Sequence, residues 1–196
     1  SANVGGSNNV ALGYQALNAN TAGNQNVAIG ANALFNTSAS DNAAIGVNAL
    51  QANTTGSLNV ALGTEALNDN TSGNKNVAMG HQSLFNNTTA SDNVAIGSSA
   101  LRANTTGEQN IAMGTQALFD NTTASDNVAI GFNALQNNTT GNKNVALGTE
   151  ALFTNIVGNQ NVAIGFNALF NTIASDNAAI GFNALQNNTT GNKNVA

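Results

Sequence analysis

Asn127-Val-Ala-Ile-Gly-Phe-Asn-Ala-Leu-Gln-Asn-Asn-Thr-Thr-Gly-Asn-Lys143 is one turn of a pattern that fills the chain. Its leading Asn recurs at Asn9, Asn26, Asn42, Asn59, Asn76, Asn93, Asn110, Asn127, Asn144, Asn161 and Asn177, and Asn194 opens a further unit. The step is 17 residues, except for 16 from Asn26 to Asn42 and from Asn161 to Asn177. A short fixed period means that one structural unit stacks on itself, so the fold reduces to the shape of one coil. The sequence therefore reads as all-β, a parallel β-solenoid (β-roll) of 16–17-residue coils. Residues 1–196 form a single repetitive domain, with eleven full coils from Asn9 and partial coils at both ends.

Counted from its Asn, each coil has a large-small-large triplet at positions 2 to 4, such as Val128-Ala129-Ile130. Alternation with period two suits a short strand, with Val and Ile expected to face inward. Gly closes the triplet at position 5 in every full coil, from Gly13 to Gly181. That constancy points to a corner with positive φ or to a close approach of the next coil. Ala and Leu follow at positions 8 and 9, with Ser83 replacing Ala once. Positions 6 to 10 read as a second strand or as a single helical turn. Val128, Ile130 and Leu135 are then the expected core of one coil.

Asn stands at position 12 and Thr at position 13, Ile156 excepted. In the two 16-residue coils the same pair comes one residue early, at Asn36-Thr37 and Asn171-Thr172. Such residues bond local backbone and turn the chain, and stacked copies form amide ladders. Position 17 carries Lys75 beside Asp92, Asp126 beside Lys143, and Asp176 beside Lys193 in successive coils. In-register stacking would set these opposite charges side by side.

Aromatic residues keep to two positions. Tyr14, Phe132, Phe166 and Phe182 hold position 6, while Phe35, Phe85, Phe119, Phe153 and Phe170 hold position 10. The eight Phe residues are the candidate interface, an apolar stripe of the kind that marks a partner surface.

Composition narrows the function classes. Only 7% of residues are charged, 41% are apolar, the formal net charge is −5, and Cys, Pro and Trp are absent. Four cations leave no basic surface for phosphate neutralisation, so nucleic acid is not an expected partner. No apolar run is long enough to insert into a membrane. A lone histidine, His81, and no thiol remove Cys-His and multi-His metal sites. Repetition supplies like groups in rows, whereas catalysis needs unlike groups that converge. The chain is expected not to be an enzyme, with no catalytic residues, no metal and no cofactor.

The Asn-Val-Ala-Ile-Gly-x-x-Ala core, as in Asn127–Ala134 and Asn161–Ala168, resembles the head repeats of trimeric autotransporter adhesins. The longer form with Ala-Leu and Asn-Thr-Thr-Gly is similar to arrays in phage tail-fibre and bacterial surface-fibre proteins. The resemblance implies a parallel β-roll, often with three chains side by side, outside a cell, on its surface or on a virion. The longer coil departs from the adhesin pattern in its Asn-Thr-Thr-Gly turn.

The functional expectation is a structural fibre segment, acting as adhesin or spacer through homo-oligomeric packing. Its partners would be copies of itself, as a parallel trimer or an end-to-end filament, together with a cell-surface glycan or protein receptor. A self-assembling surface filament is the alternative, and an ice-binding solenoid with Thr ladders a lesser one. Asn36, Asn53, Asn70, Asn87, Asn104, Asn121, Asn138 and Asn188 each open an Asn-x-Ser/Thr sequon, which makes them candidate glycan attachment points.

Overall fold

The computed structural model describes residues 5–196 and contains no helix among them. Eleven three-residue strands, β1 (Val10–Leu12) through β11 (Ala178–Ile180), form a single parallel sheet in sequence order. Each strand pairs with its copy in the next coil without a slip: Val128 faces Val145, Ala129 faces Ala146 and Ile130 faces Leu147. The 16-residue coils keep this register, since Val162 still faces Ala178. The missing residue is taken up outside the strand. At ~4.8 Å per step, the sheet runs roughly 50 Å along the rod.

Bonding between coils continues past the strands and around the whole turn. In the coil from Asn127, Val128 N–H donates to Asn144 O at 2.8 Å and Gly131 N–H to Met113 O at 2.8 Å. Asn133 N–H donates backwards to Thr115 O at 3.1 Å, and Leu135 N–H forwards to Ala151 O at 2.9 Å. Thr139 N–H reaches Ile156 O at 3.0 Å, and Lys143 N–H reaches Ser125 O at 3.2 Å. A coil of this size thus satisfies its buried backbone through its neighbours rather than through a local i→i+4 ladder.

This explains why positions 6 to 10 are neither of the expected alternatives. Asn133 and Leu135 both have positive φ, 55° and 54°, and every full coil repeats positive φ at these two positions, with Gln, Glu or Ser in place of Asn at Gln15, Glu65, Gln82, Ser99, Gln116 and Glu150. Left-handed residues between ordinary ones aim successive N–H groups at opposite neighbours. An L-residue in that region costs roughly 1–2 kcal/mol. Asn tolerates it through its short polar side chain. Leu has no such help, and complete burial worth ~1.5–3 kcal/mol holds it there instead.

The core is the reverse of the expected one on the strand side. Ala129 is fully buried, while Val128 is only partly covered and Ile130 is 40% exposed. Leu135 does face inward, packed with Ala134 and the strand alanines in one continuous cluster. A 17-residue coil encloses too little space for Leu, Val and Ile together. With Leu filling the centre, only a methyl group fits opposite it, and the branched residues turn outward. Gly131 closes the corner for both expected reasons. Its φ is 139°, and a Cβ there would lie 2.5 Å from the Gly148 carbonyl oxygen.

Candidate functional site

Turning Val and Ile outward gives the rod an apolar face. Positions 2 and 4 form two rows along the sheet, from Val10 and Leu12 to Ala178 and Ile180, without one polar residue. Leu62, Met79, Ile111, Met113 and Ile130 are all exposed on it. Position 6 borders the same face beyond the glycine corner. There Phe132, Phe166 and Phe182 are exposed, and the rings of Phe166 and Phe182 stack with centroids 5.3 Å apart. Four residues of strand and corner are ~13 Å wide, so the face measures on the order of 700 Å². That is an unusually large unbroken apolar patch for a chain of this size.

The eight Phe residues do not make one stripe. Position 10 forms a separate column of half-buried rings at Phe35, Phe85, Phe119, Phe153 and Phe170. Phe153 and Phe170 stack directly at 5.1 Å with their planes 3° apart. Between Phe85 and Phe119 the column holds Arg102, whose guanidinium carbon lies 5.5 Å and 5.8 Å from the two ring centroids. Arg102 Nε donates to Gln82 Oε1 at 3.2 Å, and Gln82 Nε2 donates to Glu65 Oε2 at 2.8 Å. Nothing in the periodicity marks this arrangement. The signal was the single Arg of the chain standing in an aromatic column.

Asparagine holds the interior together in ladders. At position 1, Asn144 N–H and Nδ2 both donate to Asn127 Oδ1, at 2.9 and 3.2 Å, and Nδ2 also reaches Gly158 O at 2.8 Å. At position 12, Asn121 Nδ2 donates to Asn104 Oδ1 at 2.9 Å and to Ala124 O at 3.0 Å. This second ladder is bounded by the two short coils. Thr37 and Thr172, rather than Asn36 and Asn171, occupy its column there and are fully buried. Asn53 Nδ2 meets Thr37 Oγ1 at 3.2 Å, and at the other end Asn155 Oδ1 is buried without a donor.

The same geometry corrects the glycan expectation. Asn53, Asn70, Asn87, Asn104, Asn121 and Asn138 are completely buried, and their Nδ2 atoms are committed to core carbonyls. Asn188 is partly covered and donates to Gly191 O at 2.8 Å. A sugar must be joined through that nitrogen, so a column of attachment points is in fact a column of core amides. Asn36 alone is exposed. The Thr ladder is similarly engaged: Thr54 and Thr71 at position 13 donate their hydroxyls to Thr71 O at 2.8 Å and Thr88 O at 2.9 Å.

Position 17 stacks in register, yet among the described residues its opposite charges form no ion pair within 4 Å. Asp126 and Lys143 instead line a shallow open groove of about 490 Å³ with Asn142, Asn159, Gln160 and Ser175. The carboxyls of Asp69 and Asp120 at position 11 sit above the usual value of 3.8. Burial is the main cause for both, and the Glu65 charge adds to it for Asp69. Among the described residues no three His, Cys, Asp or Glu converge, and no helix is long and apolar enough to cross a membrane. Comparison of the chain with family models, curated proteins and solved structures returned no match.

Proposed function

We propose that this chain is a structural fibre segment whose copies pack side by side through the outer face of the sheet. The observation that carries the proposal is the inversion of the strand: large apolar residues face out along the whole rod. Left in water, two such rows carry a cost of about 25 cal/mol per Å² of apolar surface. A face of ~700 Å² is close to the ~800 Å² that each partner contributes to a standard stable interface. The parallel trimer implied by the adhesin-head resemblance is the arrangement we favour, with display outside a cell, on its surface or on a virion. A spacer or adhesive rod needs length and rigidity, and no catalytic step is assigned to it.

Analytical ultracentrifugation of the chain at ~20 μM tests this. The expected mass is three times 19.6 kDa. Ile96→Glu with Ile130→Glu should yield monomers that keep their β-sheet circular dichroism. A wild-type chain that sediments as a monomer would sink the proposal. Ice binding draws less support, because the position-13 hydroxyls already donate inside the rod. Measurable thermal hysteresis would revive it.

A further inference from the structure

The geometry points to Arg102 as the anchor of a recognition site for a carboxylate-bearing glycan lying along the position-10 column. This site is separate from the sheet face and does not depend on the packing proposed there. Arg102 is the only Arg, and the three lysines, Lys75, Lys143 and Lys193, all stand at position 17. Its guanidinium is contacted from three directions: the Phe85 ring on one side, the Phe119 ring on the other, and Gln82 holding Nε. Glu65 in turn holds Gln82, so the acidic group nearest in the hydrogen-bond chain orients the site without neutralising it. Among the described residues no acceptor is bonded to the two terminal nitrogens, and Arg102 is only partly buried. A guanidinium seated between two rings with Nε engaged presents its remaining N–H groups as a fork, which suits the two oxygens of one carboxylate.

The surroundings select the rest of the ligand. Asp120 lies one coil from Arg102 and Glu65 and Asp69 two coils away in the other direction, and the chain is acidic overall. One Arg in that field matches a single carboxylate and repels polysulfated or polyphosphate chains. Along the rod the column reads Asn68, Phe85, Arg102, Phe119, Gln136, with amides outside rings and rings outside the cation. The ring faces look along the rod toward Arg102, so a ligand on the column meets ring edges and, beyond them, the Asn68 and Gln136 amide oxygens, which suit the hydroxyls of flanking pyranose units. A uronic acid within a linear oligosaccharide satisfies both ends of that pattern.

Isothermal titration of the full chain with a linear oligosaccharide that carries one uronic acid among neutral units is the direct test. Neutral maltohexaose, a heparin-derived hexasaccharide and a Glu-rich peptide serve as competing probes. The mono-uronate oligosaccharide should bind with Kd at or below about 1 mM, and maltohexaose should bind far more weakly. Arg102→Gln should weaken binding by about tenfold or more, and Arg102→Lys nearly as much, because Lys lacks the planar fork. Lys143→Gln should leave it unchanged, and a monomeric Ile96→Glu, Ile130→Glu chain should still bind. Thermal melts of both Arg102 variants establish that they fold. Absence of binding, equal binding by folded Arg102→Gln or Arg102→Lys, or preference for heparin or for the peptide would overturn the assignment.

Discussion

The strand side and the turn side of each coil solve the same packing problem in opposite ways. On the strand side the backbone is ordinary and the side chains are inverted, with Ala in and Val or Ile out. On the turn side the side chain is ordinary, with Leu in, and the backbone is unusual, with positive φ at positions 7 and 9. The two are linked by the width of the rod. One Leu per layer fills the centre, so the facing strand contributes only methyl groups and its branched residues are left facing outward. A slender solenoid of this type therefore produces an exposed apolar face as a consequence of its core.

The largest expected effect comes from breaking the turn side. Leu118→Ala removes the one large buried side chain of its layer and the burial that holds a left-handed backbone. Denaturant unfolding should show a loss of about 2–5 kcal/mol. Ala112, opposite, has the reverse problem. Ala112→Val should cost about 1–3 kcal/mol by overpacking, although Val is the better strand former. If Ala112→Val were neutral or stabilising, the narrow-rod explanation for the inverted strand would fail.

The Asn ladder at position 12 ranks next. Asn104→Ala leaves Asn87 Oδ1 without its donor inside the rod, while the Gly107 carbonyl keeps the Asn93 amide. An uncompensated buried acceptor costs about 1–3 kcal/mol, and chemical denaturation should report a loss in that range. Thr172→Asn provides the complementary test, since Asn155 Oδ1 already lacks a partner there. It should cost less than Asn104→Ala, and it should gain stability if the 16-residue turn has room for the amide. By contrast, Met113→Ala on the exposed face should change the unfolding free energy of a monomer by no more than ~0.5 kcal/mol. On the side-by-side packing proposed above, the same substitution should weaken the self-association constant clearly.

Much of this coil can be read from its repeat, and the failures have a shared origin. Period and register follow from the spacing of Asn, and the need for Gly at position 5 follows from its constancy. The triplet Val-Ala-Ile alternates, which identifies a strand but leaves its facing undetermined, because both faces of alternation look alike in one chain. Choosing between them requires the inner width of the coil, a property of the closed turn rather than of any three residues. Asn36 and Thr37 show the same limit. Deleting one residue shifts which of them enters the ladder, and only the closed backbone shows that Thr37 does. The Phe85–Arg102–Phe119 sandwich is visible once the coils are stacked, since its members are 17 residues apart.

The smallest expected effect separates the two sides by their response to acid. The outer strand face holds no titratable group at positions 2 to 5, whereas the turn side holds Asp69 and Asp120, whose carboxyls are raised chiefly by burial. A carboxyl raised in the folded state binds more protons there than in the unfolded chain between 3.8 and its folded pKa. Stability therefore falls as pH rises through that window, and the full penalty is present above it. Both groups remain largely solvated, so screening keeps the penalty small. Asp69→Asn with Asp120→Asn should melt higher than the wild type by about 1–2 °C at neutral pH. The difference should close as pH falls below 3.8. A double variant that is less stable than the wild type at neutral pH would mean that these carboxylates are engaged favourably, and the turn side would then owe part of its unusual backbone to charge.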